Sequence, residues 1–188
     1  TTHIHIIDTT PGFRTDLGYL SRTYRPDTDG AHVNATYTFW PENSSLISWA
    51  PRLTLNHLDD QTGTRIYTQV QPRISWAWEG DTEFRVHYTK EKERLRPQDF
   101  RGIVANRDYE LGAWAVHFES QASSKIGFSS DVEIGTAINL VPALGMLPEL
   151  ADLRSVQIDL LWRPIDRLRV DTSYLLTELT DRGGTGKI

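Results

Sequence analysis

Between Thr64 and Tyr88 the chain alternates apolar and polar positions on both sides of one short turn. One set reads Ile66, Thr68, Val70, Pro72, Ile74, Trp76 and Trp78, then, after Glu79-Gly80-Asp81, Phe84, Val86 and Tyr88. The other holds Arg65, Gln69, Gln71, Arg73, Arg85 and His87. A two-residue period belongs to β-strands, so this segment is expected to be a hairpin. Each arm runs about ten residues or more, against ~5–6 for an ordinary strand and ~9–11 for one that crosses a bilayer at a tilt.

The alternation recurs along the chain. Thr1 to Asp8 sets His3 and His5 against Ile4 and Ile6, and Phe13 to Arg22 sets Leu17 and Tyr19 against Arg14 and Asp16. After a polar loop at Pro26 to Gly30, Ala31 to Trp40 places Val33, Ala35, Tyr37 and Phe39 opposite His32, Asn34, Thr36 and Thr38. Trp49, Pro51, Leu53 and Leu55 then alternate with Ser48, Arg52, Thr54 and Asn56. Lys90 to Asp108 is densely charged and reads as a solvated loop. In Tyr109 to Glu119, Trp114, Val116 and Phe118 compete with Leu111, Ala113 and Ala115 for the apolar face. Strands are expected again at Lys125 to Asn139, Val156 to Trp162 and Leu168 to Leu176. Between them Leu140 to Leu153 reads as an apolar loop with a helical turn, and the chain from Asp181 reads as a turn.

Three regularities give these strands a direction. The turns at Pro41 to Ser45, Glu79 to Asp81, Ser120 to Ser124 and Pro164 to Asp166 are short, whereas most of those between are longer, as in an outer-membrane meander. Bulky aromatics flank the short turns, and Trp40, Trp76, Trp78, Phe84, Phe128 and Trp162 are candidates for an interfacial girdle. The apolar faces carry no Lys, Arg, Asp or Glu, and a charge facing lipid at mid-depth costs roughly 2–4 kcal/mol. The opposite faces nominate Arg65, Gln69, Arg73, Arg85, His87, Asp131, Glu133, Asp159, Arg169 and Asp171 as lumen residues. Pro51 and Pro72 are expected to oppose each other and to break the ladder between their strands, since proline lacks an amide donor.

Composition changes this picture little. With 188 residues and no low-complexity divider, the chain is expected to form a single domain spanning residues 1–188 and incomplete at both ends. Its mean hydropathy of -0.44 is that of an average soluble protein. Barrel strands nevertheless hide half their residues from such an average. The net charge of -5, with basic residues dispersed, leaves no nucleic-acid footprint. Zero cysteines exclude disulfides and thiolate metal sites.

Candidate chemistry is sparse. His3-x-His5 is the best local metal pair but lacks a third ligand in sequence. Asp131 with Glu133, and Asp159 beside Gln157, share strand faces, where paired carboxylates can do acid-base work or simply line a charged lumen. No nucleophile elbow, zincin helix or phosphate-binding glycine loop is present. No catalytic residue, metal or cofactor is expected.

Four segments carry a family resemblance: Phe13-Arg14-Thr15-Asp16-Leu17-Gly18-Tyr19 with Arg22-Thr23, Ser48 to Leu53, Gly135 to Asn139 with Leu144-Gly145, and Arg163-Pro164 with Arg167 to Leu175. Together they resemble the C-terminal, β-rich domain of unknown function of large Gram-negative envelope proteins, in which a carbohydrate-binding-module-like domain comes first. The resemblance implies an outer-membrane barrel and a link to saccharide, and it transfers no functional residues. The expectation is therefore an all-β, antiparallel up-and-down transmembrane barrel, or a fragment of one. It would sit in the outer membrane against lipid, and against other envelope chains, as a porin-like pore or a transport or surface scaffold. Two other readings stand beside it: a soluble β-sandwich or small barrel that binds a ligand, and an outer-membrane enzyme.

Overall fold

The computed structural model describes residues 1–10, 27–98, 103–141, 145–165 and 167–182. Within them nine strands form one antiparallel sheet in which every spatial neighbour is a sequence neighbour. They are β1 (Thr2–Thr9), β2 (Thr28–Thr36), β3 (Leu46–Asp60), β4 (Arg65–Trp78), β5 (Thr82–Leu95), β6 (Arg107–Ser123), β7 (Ile126–Asn139), β8 (Glu149–Ile165) and β9 (Leu168–Asp181). No helix occurs among the described residues. The up-and-down meander is as expected, but the sheet is open, with β1 and β9 as its edges. The strand expected over Phe13 to Arg22 lies outside the described residues.

Several strands run farther than the apolar pattern suggests. β2 begins at Thr28, inside the expected loop, and β6 continues to Ser123, so that turn shrinks to Ser124 and Lys125. β5 reaches Leu95 and takes in Lys90 to Leu95, the start of the charged run that read as a loop; β8 starts at Glu149, and β9 extends through Asp181. β2, in contrast, ends at Thr36. Beyond it Tyr37 and Phe39 stay tied to β3, the Tyr37 amide donating to the Pro51 carbonyl (3.2 Å) and Phe39 and Trp49 exchanging both backbone hydrogen bonds.

The turns sort by end. Glu79 to Asp81, Ser124 and Lys125, and the link from β8 to β9 are very short, and all lie at one end of the sheet with the Pro41 to Ser45 turn. Gly80 and Asp81 both take positive φ, 73° and 48°, the mirror-image turn geometry that suits the twist of two joined strands. The opposite end carries the longer links from β1 to β2, β5 to β6 and β7 to β8. The exception there is the tight Asp60 to Thr64 turn. The Asp60 side chain accepts from the Thr62 amide, the Thr62 hydroxyl and the Thr64 amide, and Gly63 supplies φ 79°.

The two prolines behave differently from the expectation. A register shift between Leu58 and Asp59 slides the strands, so Pro51 faces Ile74 and Pro72 faces Leu53. Pairing of β3 with β4 is unbroken from Ser48 to Leu58. The Pro51 carbonyl accepts from Tyr37, so its missing donor points to the β2 side. The gap belongs to β4 and β5, whose ladder skips Gln71 and Pro72 while keeping its register from Val70–Lys90 to Arg73–His87. Each proline thus turns its lost donor away from the ladder the two strands share.

Packing divides each strand in two. Toward the short turns, one face is apolar and exposed: Leu53 40%, Val70 45%, Trp114 59%, Ile134 57% and Leu160 44%. Toward the long loops, that same face turns charged. Lys92 pairs with Glu110 (2.6 Å), Arg94 with Asp108 (2.6 Å), and Arg182 with Asp152 (2.7 Å). The other face inverts in the opposite sense. It is polar toward the short turns, whereas toward the long loops it carries the buried clusters of Ile7, Leu58 and Tyr67, and of Leu95, Ile103, Tyr109, Leu111 and Ile138. A single flat layer would expose both faces alike. The lower exposure of the polar face means that the sheet curves toward it.

Candidate functional site

The strand registers align the polar face into rows that run across the sheet. One row reads His5, His32, Asn56, Gln69 and Glu91, one residue from each of β1 to β5. Side-chain hydrogen bonds link most of it: His32 to Asn56, Asn56 to Gln69, and Gln69 to the Glu91 carboxylate (2.8 Å), which also accepts from Tyr67 (2.8 Å). Asn34 joins the row from the turn side through its contact with His32. Its carbonyl oxygen accepts from the Arg52 guanidinium (2.7 and 3.0 Å) and from Thr54 (2.6 Å). An amide network of this kind cross-links strands through atoms that an open polar surface would leave to water.

A second row, closer to the short turns, reads Arg52, Arg73, His87, Ala115, Glu133 and Ser155 across β3 to β8. Two residues farther toward the turns Arg85 stands opposite His117, and His117 opposite Asp131. The His117 ring bonds Asp131 (2.8 Å) and lies 3.4 Å from Glu119. Arg85 lies 3.6 Å from Glu83. On β8 and β9, Asp159 accepts from Gln157 (2.8 Å) and Ser173 (2.6 Å), and Arg169 forks onto Asp171.

Nine of the ten residues nominated from sequence therefore share this face. Gln69, Arg73, Arg85, His87, Asp131 and Glu133 are brought together near its middle, and Asp159, Arg169 and Asp171 lie on its β8–β9 flank. Arg65, beyond the register shift, is exposed at the long-loop rim and does not join them. Arg52, Asn34, Asn56, Tyr67, Glu91 and His117 were missed as site residues. For most of these the same alternation carried the signal, but Glu91 was hidden because its strand end read as loop. His3 and His5 are exposed on β1. No cluster of three or more His, Cys, Asp or Glu suited to a metal occurs among the described residues.

The central part of this face is concave. Gln69, Gln71, His87, Glu91 and Glu133 line a depression of about 330 Å³ in which polar surface predominates. A polar hollow without aromatic walls suits a hydrated solute or water more than an apolar ligand.

The opposite face holds the aromatic candidates at the short-turn end. Trp76 stacks on Phe84 with ring centroids 5.6 Å apart, and Phe118 lies 6.1 Å from Phe128. Phe39 stacks on Trp49 at 4.1 Å. Trp40 (71%) and Trp162 (50%) are exposed, and Trp78 ends β4. From Val70 to Trp78 the apolar band of β4 spans about 26 Å at ~3.3 Å per residue. That is about 20 Å of height at a ~40° tilt.

The chain matches no family model, no curated protein and no solved structure.

Proposed function

We propose that this chain forms part of the wall of an outer-membrane β-barrel, with the polar face toward a hydrated lumen and the long loops outside, serving as a pore or as a transport or surface scaffold. The carrying observation is the double inversion of polarity along β3 to β6. In these strands the inward face is polar where the outward face is apolar, and it becomes a hydrophobic core where the outward face becomes charged. A soluble single-layer sheet has no reason to expose apolar surface on the better-exposed side. A strand that leaves lipid for water has one, because its outer solvent changes from lipid to water along its length. Aromatic rings at the turn end and Lys90 and Lys92 at the other end, whose long stems can snorkel, extend the band toward the ~25 Å of a bacterial outer-membrane barrel. The likeness to an envelope-protein domain supports the same compartment.

The direct test is insertion. The full chain, refolded into detergent micelles or liposomes, should show β-rich circular dichroism and resist protease, and brominated acyl chains should quench Trp114 fluorescence. A chain that remains folded and monomeric in buffer without detergent would overturn the reading. Single-channel conductance in a planar bilayer then separates an open pore from a scaffold.

A further inference from the structure

We infer that the row Arg52–Arg73–His87, with Arg85 beside it, is a binding site for a small anionic group, a carboxylate or an inorganic oxyanion such as sulfate or phosphate. This deepens the preceding reading by naming the charge class of the solute, and it rests on that reading only for how the solute arrives.

Register places these groups together. Arg52 faces Arg73 across β3 and β4, so two guanidinium side chains stand directly opposite one another at a separation of about 5 Å, and Arg73 in turn faces His87 across β4 and β5. Such pairs disfavour the sheet unless something negative offsets them. The protein offers little. The Arg52 guanidinium is spent on the neutral Asn34 oxygen. Arg85 has only Glu83, at 3.6 Å. The neighbouring carboxylates are engaged elsewhere, Glu91 by Tyr67 and Gln69, and Asp131 by His117. Glu133 lies two strands beyond His87, about 10 Å away at ~4.8 Å per strand.

The second observation is a pair of unpartnered nitrogens. Arg73 Nε and His87 Nδ1 are shut off from solvent and make no hydrogen bond. A buried nitrogen without an acceptor is rare in folded proteins and calls for an explanation. An oxyanion seated between Arg73 and His87 would satisfy both and neutralise the row, and a guanidinium fork is well matched to two oxygens of one anion. Pro72, next to Arg73, interrupts the β4–β5 ladder at this height.

Sodium sulfate is the probe, titrated by calorimetry into the full chain in detergent micelles with sodium acetate run in parallel. Saturable binding is expected, weakened at least tenfold by Arg73→Gln and by no more than threefold by Arg73→Lys. Removing the same charge at the exposed turn, in Arg167→Gln, should leave binding unchanged. Circular dichroism in the same micelles confirms that each variant is folded, and Arg85→Gln, expected to weaken binding about threefold, replaces Arg73→Gln if that variant is not. Tighter sulfate than acetate assigns an inorganic oxyanion, and the reverse assigns a carboxylate. No saturable binding of either, or Arg73→Gln binding as tightly as the parent chain, would overturn the inference. Bilayer conductance separates the two proposals. Binding without any conductance removes the pore and keeps the site, whereas conductance without binding removes the site alone.

Discussion

The two ends of the sheet are built by opposite rules. At the long-loop end Leu58, Tyr67, Leu95, Tyr109 and Leu111 are buried on the inner face, and ion pairs such as Lys92–Glu110 cover the outer one. That is the arrangement of any water-soluble protein. At the short-turn end Trp114, Val116, Ile158 and Leu160 stand exposed on the outer face, while Arg73, His87 and Asp131 occupy the inner one. The same strands build both halves. The lesson is that the side-chain period is a constant of the strand, while which phase is apolar reports the medium each face meets.

The sharpest test of this contrast removes core volume from the soluble-like end. Leu58 is 1% exposed, so Leu58→Ala should cost about 3 kcal/mol in denaturant unfolding. Leu160→Ala in the outer band should cost far less, since mobile neighbours can fill the gap. Equal losses would erase the distinction. Slightly smaller is the expected effect of charge. Val116→Arg should cost roughly 2–3 kcal/mol of folding free energy in lipid, as lipid-facing arginine does. Ala115→Arg, one residue on, faces Glu133 and should cost under ~1 kcal/mol.

Two finer tests address the loop end alone. The Tyr109 hydroxyl donates to the Pro148 carbonyl at 2.6 Å, pinning the link between β7 and β8. Tyr109→Phe should lose about 1 kcal/mol, the net worth of one buried hydrogen bond. Smallest is a pH effect at the Asp60 turn. Slight burial pulls the Asp60 carboxyl pKa upward, but hydrogen bonds from Thr62 and Thr64 outweigh it and hold the value below the ordinary 3.8. A depressed folded pKa adds stability that is whole above the unfolded value and fades as pH falls through the lower folded one. The parent chain should therefore lose turn stability below about pH 4, and Asp60→Asn should flatten that slope while changing stability little at pH 7.

Most of the strands were legible because alternation is a local signal. Trp76 and Phe84 could be placed on one face from parity alone, and they stack. The unreadable parts have two causes. Lys90 to Leu95 is strand, yet its outward positions Lys90, Lys92 and Arg94 are charged, so a search for apolar faces stops where polarity inverts. Glu149 to Leu153, in contrast, is strand that an apolar run with prolines disguised as a loop. Glu93 and Leu95, both buried, continue the inner phase unchanged. The site was half legible for a different reason. Parity identifies which residues share the polar face, but only register shows that Arg52, Arg73 and His87 meet. That register depends on the shift at Leu58 and Asp59, which no residue preference announces.

The open sheet carries a counting rule. In an antiparallel meander strands alternate in direction, so β1 and β9, both odd in the order, run the same way. Brought together directly, they would pair in parallel. Two copies inserted in the same orientation meet the same obstacle, since β9 of one would face β1 of the other. A wall closed by antiparallel pairs alone must therefore place an odd number of further strands between these edges, giving the even total typical of bacterial outer-membrane barrels.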